Sequence, residues 1–342
     1  MTLHLLGIGH FHPDTEITNR FLEELSIGTD DEWIVERVGI HSRRTVLPLN
    51  YIRETRNADP RGAVEAALVS NAIMGSRAAE VAIARAGISR EEIGMVVSGS
   101  SAPDSSTPAE ACTIAAELGI EAPAFDVDSA CTSFYTQLYL LSLMDPARVP
   151  DYVLLAVPES LTKTVDYNDR ATAVLWGDGA AAAVISTRHS GRARILANTL
   201  ESSPAGADKV RVPRGGHFTQ NGRTVQTFGI KRMTHRVAAL RGEFESDARR
   251  FHFVGHQANL RMLENVIRRC EIPPERHHFN VDWYGNTGAA SAASVISMNW
   301  DKWTARDDVA TVGVGAGLTW SSYLVRFERS SASSASSAEA SN

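Results

Sequence analysis

The sequence predicts an α/β fold in which buried sheets are layered around two interior helices. Short apolar runs alternate with helical patterns along the chain, the rhythm of sheets covered on both faces. Two helical segments, TSFYTQLYLLSLM (132–144) and GAASAASVISM within 287–300, are small or apolar on every side. A helix of that kind belongs in the interior, and its small residues let backbones approach closely. The 342 residues, 43% hydrophobic and 22% charged, suit two fused halves or one large unit. These observations imply five layers with one buried helix per half.

The elements follow in order. LHLLGIGHF (3–11) reads as a buried strand and TNRFLEELSI (18–27) as a helix. Residues 45–63 are polar, charged and proline-bearing, an excursion that forms a loop or a cap. SNAIMGSRAAEVAIARAGI (70–88) is helical, GMVVSGSS (94–101) a strand and PAEACTIAAELGI (108–120) a helix. AFDV (124–127) is a strand leading into the first interior helix. DYVLLAVPES (151–160), GAAAAVIST (179–187), RILANTLES (194–202) and FHFVGHQ (251–257) are strands. NLRMLENVIRRC (259–270) is a helix, HFNVDWYGN (278–286) a strand, and VATVGVGAGLTW (309–320) a final strand. A coarse duplication follows, with halves 1–190 and 191–329 and a seam near 185–195. The Ser/Ala-rich tail 330–342 is expected to be disordered.

Composition removes several function classes. The net charge of -6 argues against a general nucleic-acid role. The three cysteines, Cys112, Cys131 and Cys270, are an odd, widely spaced set with no CxxC pair, which argues against a disulfide framework or a zinc site. The adjacent His277 and His278 lack a second ligand pair and read as surface residues. The opening residues do not resemble a signal peptide, and no apolar run reaches membrane-spanning length. A soluble cytoplasmic protein is expected.

Three residues carry the chemistry. Cys131 sits between a strand and the start of a buried helix, where backbone N–H groups and the helix dipole are expected to lower a thiol pKa. His256 in VGHQANLRML and Asn286 in YGNTGAAS occupy similar strand-to-helix corners. Singly, a core histidine and a helix cap are the plainer readings. Jointly with a thiolate, they describe thioester chemistry. Cys131 carries an acyl group, while neutral His256 and Asn286 donate hydrogen bonds to an enolate oxygen. The glycine-rich GVGAGLTW can set a backbone N–H beside that of Cys131, forming a second oxyanion hole.

The order Cys131, His256, Asn286, with DEWIVERVGIHSRR, STPAEACTIAAELGI, FDVDSAC, WGDGAAAAVI, GHQANLRML, YGNTGAAS and GVGAGLTW, resembles the ketoacyl-ACP synthase III branch of the thiolase superfamily. The resemblance runs to Phe327. It implies a five-layered αβαβα thiolase fold, a homodimer, and acyl transfer to Cys131 before carbon–carbon bond formation. Partners would be acyl carrier protein and acyl thioesters, with coenzyme A or phosphopantetheine as the substrate's carrier and no bound cofactor or metal. The matching positions are Arg261 for carrier docking, Trp33 with Arg37 beside it for adenine, and the Ala316 N–H for the oxyanion. Lys163 falls where the family places an arginine across the adenine. That replacement, Asp128 and Ser129, and the long 45–63 excursion favour a secondary-metabolism ketosynthase joining two carrier-bound chains, of α-pyrone type. The alternative is the enzyme that initiates fatty-acid synthesis from acyl-CoA and malonyl-ACP.

Overall fold

The computed structural model describes residues 2–329. One nine-stranded sheet runs through the molecule. Its strands are β1 (Leu3–Phe11), β4 (Ile93–Ser98), β5 (Ala124–Asp126), β6 (Tyr152–Glu159), β7 (Gly179–Ser186), β8 (Ala193–Ser202), β11 (Arg250–Gly255), β12 (Asp307–Gly315) and β13 (Thr319–Phe327). Two short ribbons pair β2 (Glu16–Thr18) with β3 (Ser42–Arg44) and β9 (Val210–Arg211) with β10 (Thr219–Gln220). The twelve helices are α1 (Asn19–Glu24), α2 (Asp31–Val38), α3 (Leu49–Thr55), α4 (Pro60–Ala66), α5 (Asn71–Ala86), α6 (Glu110–Leu118), α7 (Ser133–Leu143), α8 (Arg170–Ala173), α9 (Gly222–Phe244), α10 (Leu260–Arg269), α11 (Val281–Tyr284) and α12 (Ser291–Met298).

The strand order is β11-β12-β13-β8-β1-β7-β6-β4-β5. Read outward from the central β1–β8 pair, the two arms repeat one pattern. β1–β7 and β8–β13 are antiparallel, as are β7–β6 and β13–β12. β6–β4 and β12–β11 are parallel. A parallel β4–β5 pair ends one arm, and a parallel Phe253–His277 bridge ends the other. The β1–β8 junction spans only three residue pairs, from Leu3↔Ile195 to Leu5↔Ala193.

Three apolar clusters fill the gaps between layers. The outer helices α5 and α6 cover one arm, α9 and α10 cover the other, and α7 and α12 lie between the arms. This is the five-layered arrangement expected from the two apolar helices. The inner helices are largely exchanged: α7 packs mostly on β8 and β13 and less on β6, whereas α12 packs mostly on β1 and β7 and less on β11. Close packing is forced at β1, where a Cβ on Gly9 would stand 2.0 Å from Ala78 O of α5. α5 itself is capped by Ser70, whose hydroxyl accepts from Ile73 N, and ends at Gly87 with φ +69°.

Two expectations change. Residues 278–286 are not a strand; they carry the short helix α11, followed by a loop. The 45–63 excursion holds the helices α3 and α4. Its root is pinned by Asp178, whose carboxylate accepts from Val46 N and Thr162 N, both at 2.8 Å. The tail 330–342 lies outside the described residues. No helix among the described residues is long and apolar enough to cross a membrane.

Candidate active site

The chain leaves β5 and turns sharply before α7, and Cys131 occupies that turn. Ala130 adopts φ +54°, a left-handed conformation disfavoured for a residue with a Cβ. Asp128 holds it there by accepting from Ala130 N (3.0 Å) and from the Ser133 hydroxyl (2.9 Å). Ser129 bonds Thr132 and Thr136 through its hydroxyl. Asp128 and Ser129 therefore build the turn that presents the sulfur.

The electrostatic expectation for this thiol is reversed. Burial pushes its pKa up, and the nearby Glu159 and Asp128 carboxylates push it the same way. Cys131 precedes the N-cap Thr132, and the amides of Thr132 and Ser133 are spent on Ser129 O and Ala130 O within the turn. The helix end thus aims little positive potential at the sulfur. Cys131 rests as a thiol.

His256 follows β11 and continues its ladder through His256 N to Val312 O (2.9 Å). Its Nδ1 lies 3.0 Å from the Ser291 hydroxyl, the first residue of α12, which leaves Nε2 for the pocket. Burial lowers its pKa to about 4, so the ring is neutral at physiological pH. Asn286 is fixed by its backbone, with its N–H on Leu175 O (2.8 Å) and its C=O accepting from Gly177 N (3.0 Å). Its Oδ1 accepts from Gly288 N (3.0 Å), which assigns the oxygen and leaves the amide NH₂ as a free donor.

Cys131, His256, Asn286 and Ala316 line one pocket of about 60 Å³. Its other walls include Trp176, Phe218, Phe228, Met262 and Leu318, an apolar setting that strengthens any hydrogen bond inside. The β12–β13 turn presses on the nucleophile: a Cβ on Gly315 would lie 3.3 Å from Cys131 N and 3.2 Å from Thr132 N. The hydroxyls of Thr132 and Thr319 join the two turns at 2.7 Å. The geometry therefore brings a sulfur, a neutral imidazole, a carboxamide and a glycine-rich turn to one small space.

The rim is only partly as expected. Trp33 lies on α2 with the Arg37 guanidinium 5.1 Å from its ring centre. Lys163 is not its partner. It is 3% exposed, ion-paired with Asp104, and lines a separate cleft of about 410 Å³ that lacks the nucleophile. The second cation over Trp33 is Arg170, 4.9 Å from the ring centre. Sequence reasoning missed Arg170, although it sits at the start of α8 just after the cap Asp169. Arg261 reaches back to α2, donating to Val35 O (2.8 Å) and Glu36 O (3.1 Å) and pairing with Glu264. Ser291 was also missed, because only the fold brings it to His256. His277 is not a surface residue, being buried and stacked on Phe253, while His278 is half-buried and bonds His252 at 2.9 Å.

Residues 125–204 match the family model for 3-oxoacyl-[acyl-carrier-protein] synthase III, and residues 250–327 match its C-terminal model. A beta-ketoacyl-[acyl-carrier-protein] synthase III of Oceanobacillus iheyensis is 32% identical, over 96% of this chain and 99% of that protein. One from Chlamydia pneumoniae is 33% identical, over 93% and 95%. Among solved structures, 3-oxoacyl-[acyl-carrier-protein] synthase III from Aquifex aeolicus superposes with TM-score 0.83 at 27% identity, covering 95% of this chain and 100% of that one. The priming beta-ketosynthase of the R1128 polyketide pathway gives 0.77 at 25% identity, covering 95% and 96%.

Proposed function

We propose, for a chain that belongs to the 3-oxoacyl-[acyl-carrier-protein] synthase III family of condensing acyltransferases, that its reaction is the initiating one: an acyl group from coenzyme A is joined to malonyl-ACP. The pocket that gathers Cys131, His256 and Asn286 carries this reading. It displaces the secondary-metabolism preference drawn from the sequence. The two curated relatives described above bear the beta-ketoacyl synthase III name. Asp128 and Ser129 have a structural task in the turn. Arg170 over Trp33 removes the objection raised by Lys163, and a small pocket suits a short acyl group.

The Cys131 sulfur attacks the acyl thioester carbonyl. The backbone N–H groups of Cys131 and Ala316 receive the oxyanion, and the leaving coenzyme A thiolate takes the thiol proton. Malonyl-ACP then loses carbon dioxide. The enolate oxygen accepts hydrogen bonds from His256 Nε2–H and the Asn286 NH₂, with the Ser291 hydroxyl donating to Nδ1 to fix that tautomer. The enolate carbon attacks the acyl group, and the sulfur leaves and regains a proton. Coenzyme A would meet Trp33, Arg37 and Arg170, while Arg261 would face the acidic carrier protein. No resident cofactor is needed. On this reading the enzyme works in the cytoplasm as a homodimer. The free edge of β5, with Phe125 36% exposed, supports that assembly.

Intact-protein mass after incubation with acetyl-CoA tests the scheme. Cys131→Ala should take up no acyl group. Asn286→Ala should acylate normally and condense with malonyl-ACP only at a small residual rate. A long acyl chain retained in preference to acetyl, or normal condensation by Asn286→Ala, would overturn it.

A further inference from the structure

Arg43 lies on β3, is 0% exposed, and forms no ion pair among the described residues. Burying a guanidinium without a carboxylate is unfavourable, and such a group persists only where its hydrogen bonds are well supplied. Two donors go to one carbonyl: Nε (3.2 Å) and Nη2 (2.6 Å) both bond Val174 O. Nη1 donates to Asn19 Oδ1 at 2.5 Å, and Asn19 in turn donates to Ile40 O.

The carbonyl that Arg43 grips belongs to the segment that holds Asn286. Leu175 O, one residue on, accepts Asn286 N–H, and Gly177 N donates to Asn286 O. The aliphatic stem of Arg43 packs where these strands of chain cross. A Cβ on Gly285 would stand 2.9 Å from Arg43 Cγ, and one on Gly177 would stand 3.4 Å from Arg43 Cβ. The flanking residues of β3 sew down the same loops. His41 N donates to Asp282 O (2.6 Å), the Ser42 hydroxyl to Trp283 O (2.8 Å), and Asp178 N to Arg44 O (2.8 Å). Arg43 itself does not line the pocket.

We infer that Arg43 is a positioning residue for Asn286, setting the carboxamide through the 174–177 segment without touching substrate. The inference rests on the condensation role proposed for Asn286. It follows that Arg43 serves the second half-reaction and not the first, since Cys131 is held by its own turn, whose hydrogen bonds involve neither Arg43 nor the 174–177 segment. Displacing a reacting group by an ångström can cost about a hundredfold in rate.

The test uses the full chain with Arg43→Lys, Asn286→Ala and the double variant, plus Asn19→Ala as a milder loosening should Arg43→Lys fold poorly. Cys131 acylation is read by mass, and condensation is followed from preformed acyl-enzyme. Arg43→Lys should slow condensation about 10- to 100-fold while acylation stays within about threefold. In the Asn286→Ala background it should change residual condensation by less than about twofold, because a positioning residue has nothing left to position. Equal losses in both half-reactions, or multiplying effects in the double variant, would overturn the inference. So would a crystal structure of Arg43→Lys with Asn286 unmoved. Normal condensation by Asn286→Ala alone would instead indict the function proposed for Asn286.

Discussion

At Cys131 the local sequence and the distant fold pull in different directions. The turn that presents the sulfur is written locally, in Asp128, Ser129 and Ala130, but the charge that governs it comes partly from Glu159 on β6. Gly315 packs closely against this turn. Gly315→Ala should push the β12–β13 turn off the Cys131 amide and lower kcat roughly tenfold or more with little change in melting temperature, checked by steady-state kinetics beside a thermal melt. Ser291→Ala removes the partner of His256 Nδ1 and should slow condensation by about an order of magnitude with KM nearly constant. The convergence of the three candidate residues was legible from their motifs, although only Cys131 and His256 follow a strand, whereas Asn286 follows the short helix α11. The direction of the thiol's pKa, the partner of Trp33 and the role of Ser291 were not, because each depends on a residue far away in the chain.

Most elements were legible from periodicity, and the exceptions have physical causes. The 23-residue α9 was overlooked because glycine, threonines and charges interrupt its apolar residues. Its buried set, Gly229, Met233, Val237 and Leu240, does keep helical spacing. The 278–286 segment alternates like a strand, yet its Asn280 amide is drawn to Gln257 Oε1 (3.1 Å) and the chain turns into α11. Packing of α5 on β1 is the least forgiving contact between elements. Gly9→Ala would drive a methyl into the Ala78 carbonyl and should destabilise the protein by about 3 kcal/mol, seen as a lower urea midpoint or insoluble protein.

The whole molecule carries buried titratable groups of both kinds, and these shape its stability with pH. Burial holds His256, His277 and His278 near pKa 4, below the ordinary 6.5. The unfolded chain therefore binds protons first on acidification, and stability drains as pH falls from 6.5 toward 4. Burial raises Glu110 to about 7 and Glu159 to about 8. There the folded chain keeps protons that the unfolded one has released, so stability is lost as pH rises through those values. Above about pH 6.5 the histidine contribution is gone, and the carboxyls set the slope until Glu159 ionises at about 8. The urea midpoint should therefore fall from pH 6.5 to 8, and a rise over that range would refute the account. The exchanged inner helices have a separate consequence. Each arm of the sheet wraps a helix made by the other, while direct strand pairing between them spans three residue pairs. A single proteolytic nick in the 187–192 connection should thus leave a working noncovalent complex. Two fragments produced separately should regain turnover only on mixing, at a rate that depends on the concentration of both.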